Sequence, residues 1–146
     1  MHGDTEANKA LTLRYWEEVA NKGNLNLIEE ICAPDYVCHE VDQDIRGPEG
    51  VRQFISMLRA AFPDLHVTVE DVIAEGDKIV QRWTGHGTNQ GELMGIPPTG
   101  NRVSVAGITI SRFKDGKVSE EWEVYDMMGM MQQLGVIPSS EQAVGS

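Results

Sequence analysis

Two turn signals cut the second half of this chain into long alternating segments, and that pattern limits the fold more than any other feature. Glu75-Gly76-Asp77 follows Val67, Val69 and Ile73 and precedes the run 79–88, which carries Trp83. Lys114-Asp115-Gly116-Lys117 joins the run 102–113 to the run 118–126. Asp-Gly between apolar alternations marks a two-residue hairpin turn, whose central residues need positive φ. Four strands joined mainly by hairpins are therefore expected, with a loop over residues 90–100 containing Pro97-Pro98 between the middle pair.

The first third reads as helix. Ala7, Leu11, Tyr15 and Val19 recur every four residues, and Trp16 and Ala20 widen the stripe, predicting a helix over 5–21 that Lys22-Gly23 ends. Asn24 is expected to cap a short second helix through Leu25, Leu27, Ile28 and Ile31, stopped by Pro34. Gly47-Pro48-Glu49-Gly50 opens a third, with Val51, Phe54, Ile55, Leu58 and Phe62 on its buried face. Residues 36–41 read as a short strand and 42–47 as a polar loop. Helices segregated from a run of hairpins indicate an α+β domain. The expected form is a cone-shaped α+β barrel: three N-terminal helices packed on a strongly curved, mostly antiparallel sheet around a pocket. The 146 residues fit one domain over 1–146, with its core over 5–135 and a polar tail over 138–146.

Twelve basic against 23 acidic residues give a net charge of −11, which argues against nucleic acid and anionic membranes as partners. Cys32 and Cys38 form no zinc-like arrangement with the histidines, and no run approaches the roughly 20 apolar residues of a membrane helix. No metal or cofactor is expected, and a cytoplasmic location is.

Asp126 is the leading candidate for chemistry. If the last strand is regular, Val118, Trp122 and Val124 share one apolar face and Asp126 follows in the same parity. Burial raises a carboxyl pKa toward neutrality and suits it to proton transfer. The other reading makes Asp126 the N-cap of the segment that begins at Met127. Glu120 shares this parity at the far end of the strand, about 20 Å away and too far to work with Asp126. Arg112 either meets an anion inside or reaches to water from a strand end. His39 and His86 are the candidate titrating imidazoles, with His39 favoured because it ends the early strand. Trp83, Trp122, Tyr15, Trp16 and Phe54 are candidate walls of an aromatic-accepting pocket, or ordinary core. Met127, Met128, Met130 and Met131 form an adaptable lid, a core element or an oligomer contact.

The segment Gly87-Thr88-Asn89-Gln90-Gly91-Glu92-Leu93-Met94-Gly95-Ile96-Pro97-Pro98-Thr99-Gly100 resembles the loop of the SnoaL-like polyketide cyclases. Phe113-Lys114-Asp115-Gly116-Lys117-Val118 resembles their following hairpin, and Tyr125-Asp126 with Gln132-Gln133-Leu134-Gly135 their closing segment. The resemblance implies a nuclear transport factor 2-like fold, assembly as a homodimer or homotetramer, and cofactor-free aldol ring closure. It also implies that Asp126 is the acid/base residue. Arg112 and Asn89 stand where the cyclases carry histidines, and Cys38, beside His39, where they carry Asn. On this basis Asp126, Arg112 and His39 are the expected catalytic set. Trp83, Trp122, Tyr15, Trp16, Cys38, Asn89, Phe54 and Met127 are the expected substrate contacts. The expected activity is cyclisation or isomerisation of a small apolar carbonyl compound or polyketide ester. The alternatives are a non-catalytic binding protein, and an epoxide or ester hydrolase using Asp126 with Arg112.

Overall fold

The computed structural model describes residues 2–138, so the tail expected over 138–146 lies almost wholly outside the described residues. Helix α1 (His2–Arg14) runs into a π-helical turn (Tyr15–Asn21), where the extra residue per turn brings both Tyr15 and Trp16 toward the sheet. A 3₁₀ turn (Leu25–Leu27) and α2 (Ile28–Ile31) follow, and the chain becomes extended before Pro34 is reached. Asn24 makes no side-chain capping bond. Strands β1 (Cys32–His39) and β2 (Asp44–Arg46) precede α3 (Gly47–Ala61). The polar loop expected over 42–47 therefore contains a strand: Asp44–Arg46 pairs antiparallel with β1, anchored by buried Ile45. Strands β3 (His66–Glu75), β4 (Lys78–Thr88), β5 (Arg102–Lys114) and β6 (Lys117–Tyr125) form the hairpin series, and α4 (Met127–Leu134) closes the described fold.

The α+β class stands. The six strands lie in the order β2-β1-β6-β5-β4-β3, all neighbours antiparallel except β1 with β6. The sheet is open, with β2 and β3 as edges, rather than a closed barrel. Asp115 and Gly116 take φ of 53° and 79°, the positive values the hairpin turn requires. Helix α3 packs on β1 and β2, the π turn on β3, and α4 on β5.

One irregularity decides which side chains face the helices. Between β5 and β6, Phe113 pairs with Val118 but Arg112 pairs with Glu120, so Ser119 is an extra residue in β6. A bulge shifts alternation by one, and everything beyond it changes face. Val118 stays in the core with Phe113, and past the bulge Glu121, Glu123 and Tyr125 point inward. They stand opposite Ser111, Thr109 and Gly107. Trp122 and Val124 turn outward and are exposed. The face expected for Trp122, Val124 and Asp126 is thus reversed. Glycine at 107 is needed for space, because a Cβ there would lie 2.3 Å from the Trp83 indole.

Candidate active site

The inner sheet face, the π turn and α3 enclose a cavity of about 150 Å³, with Leu93 and Met94 of the 89–101 loop at its wall. Its lining is largely apolar and aromatic, with Phe54 and Phe62 from the α3 side and Trp16 and Trp83 facing them. Four acidic side chains, Glu40, Asp42, Glu121 and Glu123, interrupt it together with Gln43, His86, Thr109 and three tyrosines, and among the described residues no lysine or arginine lines the cavity.

Two hydrogen-bond chains support these carboxyls. In the first, Trp83 Nε1 donates to Thr109 Oγ1 (2.9 Å), and Thr109 Oγ1 donates to Glu123 Oε1 (2.7 Å). In the second, Trp16 Nε1 donates to Gln81 Oε1 (3.1 Å) and Gln81 Nε2 donates to Ser111 Oγ (3.1 Å). Ser111 Oγ and Tyr36 OH then both donate to Glu121. Each chain orients a carboxylate with neutral donors only. Burial pushes the Glu121 carboxyl up to about 7, against the pull of Ser111 and Tyr36 and with a further push from Glu123. Glu40 lies well above the ordinary carboxyl range, first through burial, then through the neighbouring Glu123 carboxyl. These are the environments that bring a carboxyl toward work near neutral pH.

The expected residues divide between two places. Trp83, Tyr15, Trp16, Phe54 and Cys38 line the cavity. The Cys38 thiol is held high by burial and by Glu121, so it is a neutral wall and not a nucleophile. Asn89 is buried but serves the loop: its Nδ2 donates to Gly91 O, and its Oδ1 accepts from Thr99 N and Oγ1. Met127 does not line the cavity, and Met130 does. Asp126 is exposed and lies outside the cavity, accepting from Gly129 N at 2.9 Å as the N-cap of α4. Arg112, His39 and Trp122 belong to the outer face. Arg112 Nη2 donates to Glu120 Oε1 (2.7 Å), His39 Nε2 lies 2.7 Å from Glu120 Oε2, and the His39 ring is 5.9 Å from that of Trp122.

Glu40, Glu121, Glu123 and Thr109 were missed as site residues. A usable signal existed for one of them: with Glu120 and Glu121 adjacent on a strand, one carboxyl must face inward whatever the register.

An α+β domain enclosing a largely apolar cavity with a few inward carboxyls has the form of a small-molecule-binding protein. The chain belongs to the SnoaL-like polyketide cyclase family, whose model matches residues 10–134. It is 28% identical over 127 residues, 84% of this chain and 88% of the relative, to aklanonic acid methyl ester cyclase of Streptomyces peucetius. Nogalonic acid methyl ester cyclase of Streptomyces nogalater is 29% identical over 119 residues, covering 79% of this chain and 88% of its own. The crystal structure of AclR, a candidate hydroxylase from Streptomyces galilaeus, is 35% identical with a TM-score of 0.83, covering 96% of this chain and 88% of its own. No helix among the described residues is long and apolar enough to cross a membrane.

Proposed function

We propose that this protein closes a ring by aldol-type acid/base chemistry on a neutral polyketide ester or a similar small apolar carbonyl compound, with Glu123 as the base. The observation that carries this is the Glu123 carboxylate, aimed into an apolar cavity and fixed by Thr109 and Trp83. Glu123 takes a proton from the carbon beside a carbonyl, and the carbanion attacks a second carbonyl within the same molecule. The oxygen formed there is then protonated. Every electron pair that moves comes from substrate or carboxyl, so the scheme calls for no cofactor. The methyl ester cyclases among the relatives support the substrate class. So does charge: a free carboxylate substrate would meet four acidic side chains and, among the described residues, no lysine or arginine.

The test is Glu123→Gln assayed with aklanonic acid methyl ester. Loss of ring closure by roughly 10²–10⁴-fold is expected for removal of a general base, and wild-type turnover would sink the reading. Hydrolysis by water held between Asp126 and Arg112 is not supported, since neither side chain lines the cavity.

We also infer a homodimer or homotetramer built through the outer sheet face. There Ile108 pairs with Val124 and Ile110 with Trp122, and Val124 is 63% exposed. Light scattering should find more than one copy per particle, and Val124→Asp should reduce that number. A monomeric wild type would remove the inference.

A further inference from the structure

Glu40 is unused by the scheme above, and it lines the same cavity as Glu123. We propose that Glu40 and Glu123 form a one-proton carboxyl pair, in which Glu123 takes the proton from carbon while Glu40 gives one to oxygen. This deepens the acid/base reading and rests on it.

Placement comes first. β1 and β6 run parallel, with Cys38 beside Glu121 and His39 beside Trp122. Alternation therefore sets Glu40, just past the end of β1, beside Glu123 on the inner face. Both line the cavity, and side chains on one face of paired strands are neighbours, so the two carboxyls lie side by side there. Thr109 occupies Glu123 Oε1. Glu40 Oε2 is buried with no partner, and a buried polar atom without a partner is costly unless a ligand group completes it. Two neighbouring buried carboxylates cannot both ionise cheaply, so one proton stays with the pair, and burial together with Glu123 keeps it on Glu40.

The chemistry can use such a group. Aldol closure places negative charge on oxygen, and no lysine or arginine lines this cavity. A neutral acid can stabilise that charge by donating a hydrogen bond to it. The step balances within substrate and pair. The C–H bond breaks as its proton goes to Glu123, and its electron pair forms the new C–C bond. The carbonyl π pair moves to oxygen, and that oxygen takes the proton of Glu40. The pair ends with its proton on Glu123 and resets when that proton passes to the neighbouring Glu40 carboxylate.

The titratable groups facing the pair are Asp42 in the turn after β1, Glu121 and Tyr125 on β6, Tyr36 and Cys38 on β1, and Tyr15 in the π turn, with His86 on β4 at the cavity wall. The α3 residues at the wall are apolar. No lysine or arginine is among them.

Carbon-detected NMR titration of the carboxyl carbons in the wild-type protein reads the pair directly. Glu40 should remain protonated at pH 7, and its midpoint should fall in Glu123→Gln, a response that burial alone would not give. Glu40 ionised at pH 7, or a midpoint indifferent to Glu123→Gln, overturns the proposal. The kinetic arm uses aklanonic acid methyl ester in deuterated water. Glu40→Gln should slow ring closure by roughly 10²-fold or more while exchange of deuterium into the substrate falls by less than about tenfold. Equal losses in both, or full closure, would assign Glu40 no proton transfer. Exchange surviving in Glu123→Gln would instead refute the base itself, so the two failures are distinguishable.

Discussion

On the outer face of the sheet, Glu120 sits between His39 and Arg112, and its carboxyl is held below the ordinary range by those two partners in that order. One residue along β6, on the inner face, Glu121 meets only hydroxyl donors beside an apolar cavity, and its carboxyl is pushed up to about 7. The residue type and the strand are the same. What differs is the partner and the solvent. A cation beside a carboxylate favours its charged form, whereas burial with neutral donors leaves that form poorly compensated. The outer face therefore holds fixed charges and the inner face holds movable protons.

The sharpest way to break this contrast is to remove one carboxyl from each face. Glu123→Gln should cost ring closure the roughly 10²–10⁴-fold expected of a general base, while Glu120→Gln on the outer face should leave turnover within about twofold. Equal losses from both would mean that the faces are not functionally distinct.

The next largest effect is on stability. Glu121 has an ordinary value of 4.5 and a folded value of about 7. Between those values the folded chain holds a proton that the unfolded chain has released. Its contribution is therefore fully present below about pH 4.5, declines as pH rises toward 7, and is flat above. The penalty for ionising it in place is about 3 kcal/mol. Urea midpoints measured at pH 5 and pH 8 should show less pH-dependent loss in Glu121→Gln than in wild type. An unchanged slope would mean that Glu121 is solvated.

The outer cluster should respond with opposite signs and less strongly. The His39 pKa is raised by its hydrogen bonds to Glu120 and then Asp44. Its stabilisation is present below the ordinary 6.5 and is lost as pH rises through the raised value. The depressed Glu120 value gives stabilisation present above 4.5 and lost as pH falls through it. Thermal midpoints of His39→Gln should therefore differ from wild type most near pH 5.5 and converge at high pH, by less than Glu121→Gln changes them. Exposed pairs of this kind are weak.

The order of elements was legible because it rests on local signals. Asp115-Gly116 marks a turn in any context, and the α3 stripe of Val51 and Ile55 is periodic whatever it packs against. Which carboxyls face inward was illegible because their facing depends on Ser119. That bulge is settled by Val118 following Phe113 into the core while Glu120 stays with Arg112, and no residue in the run 118–126 announces it. Strand β2 was hidden for a related reason: three residues with a single apolar side chain, Ile45, carry no period. The aromatic wall was half legible. Trp83 and Trp122 look alike in sequence, and only the register puts one in the cavity and the other outside.

The smallest predicted effect concerns Asp126, where the capping reading and the acid/base reading diverge. Its carboxylate accepts from Gly129 N and it is exposed. A Cβ on Gly129 would lie 2.2 Å from Asp126 Oδ2, so the two residues are fitted to each other as a cap. Asp126→Ala should cost about 1 kcal/mol of stability, the usual value of an N-cap, seen as a lower urea midpoint with turnover intact at temperatures where the variant is folded. Asp126→Asn should recover most of that loss, because Asn caps as well as Asp. If Asp126→Asn instead lost turnover as Glu123→Gln is expected to, proton transfer would belong to the exposed end of β6. The separation of fixed charge outside from movable protons inside would then be wrong at its most accessible point.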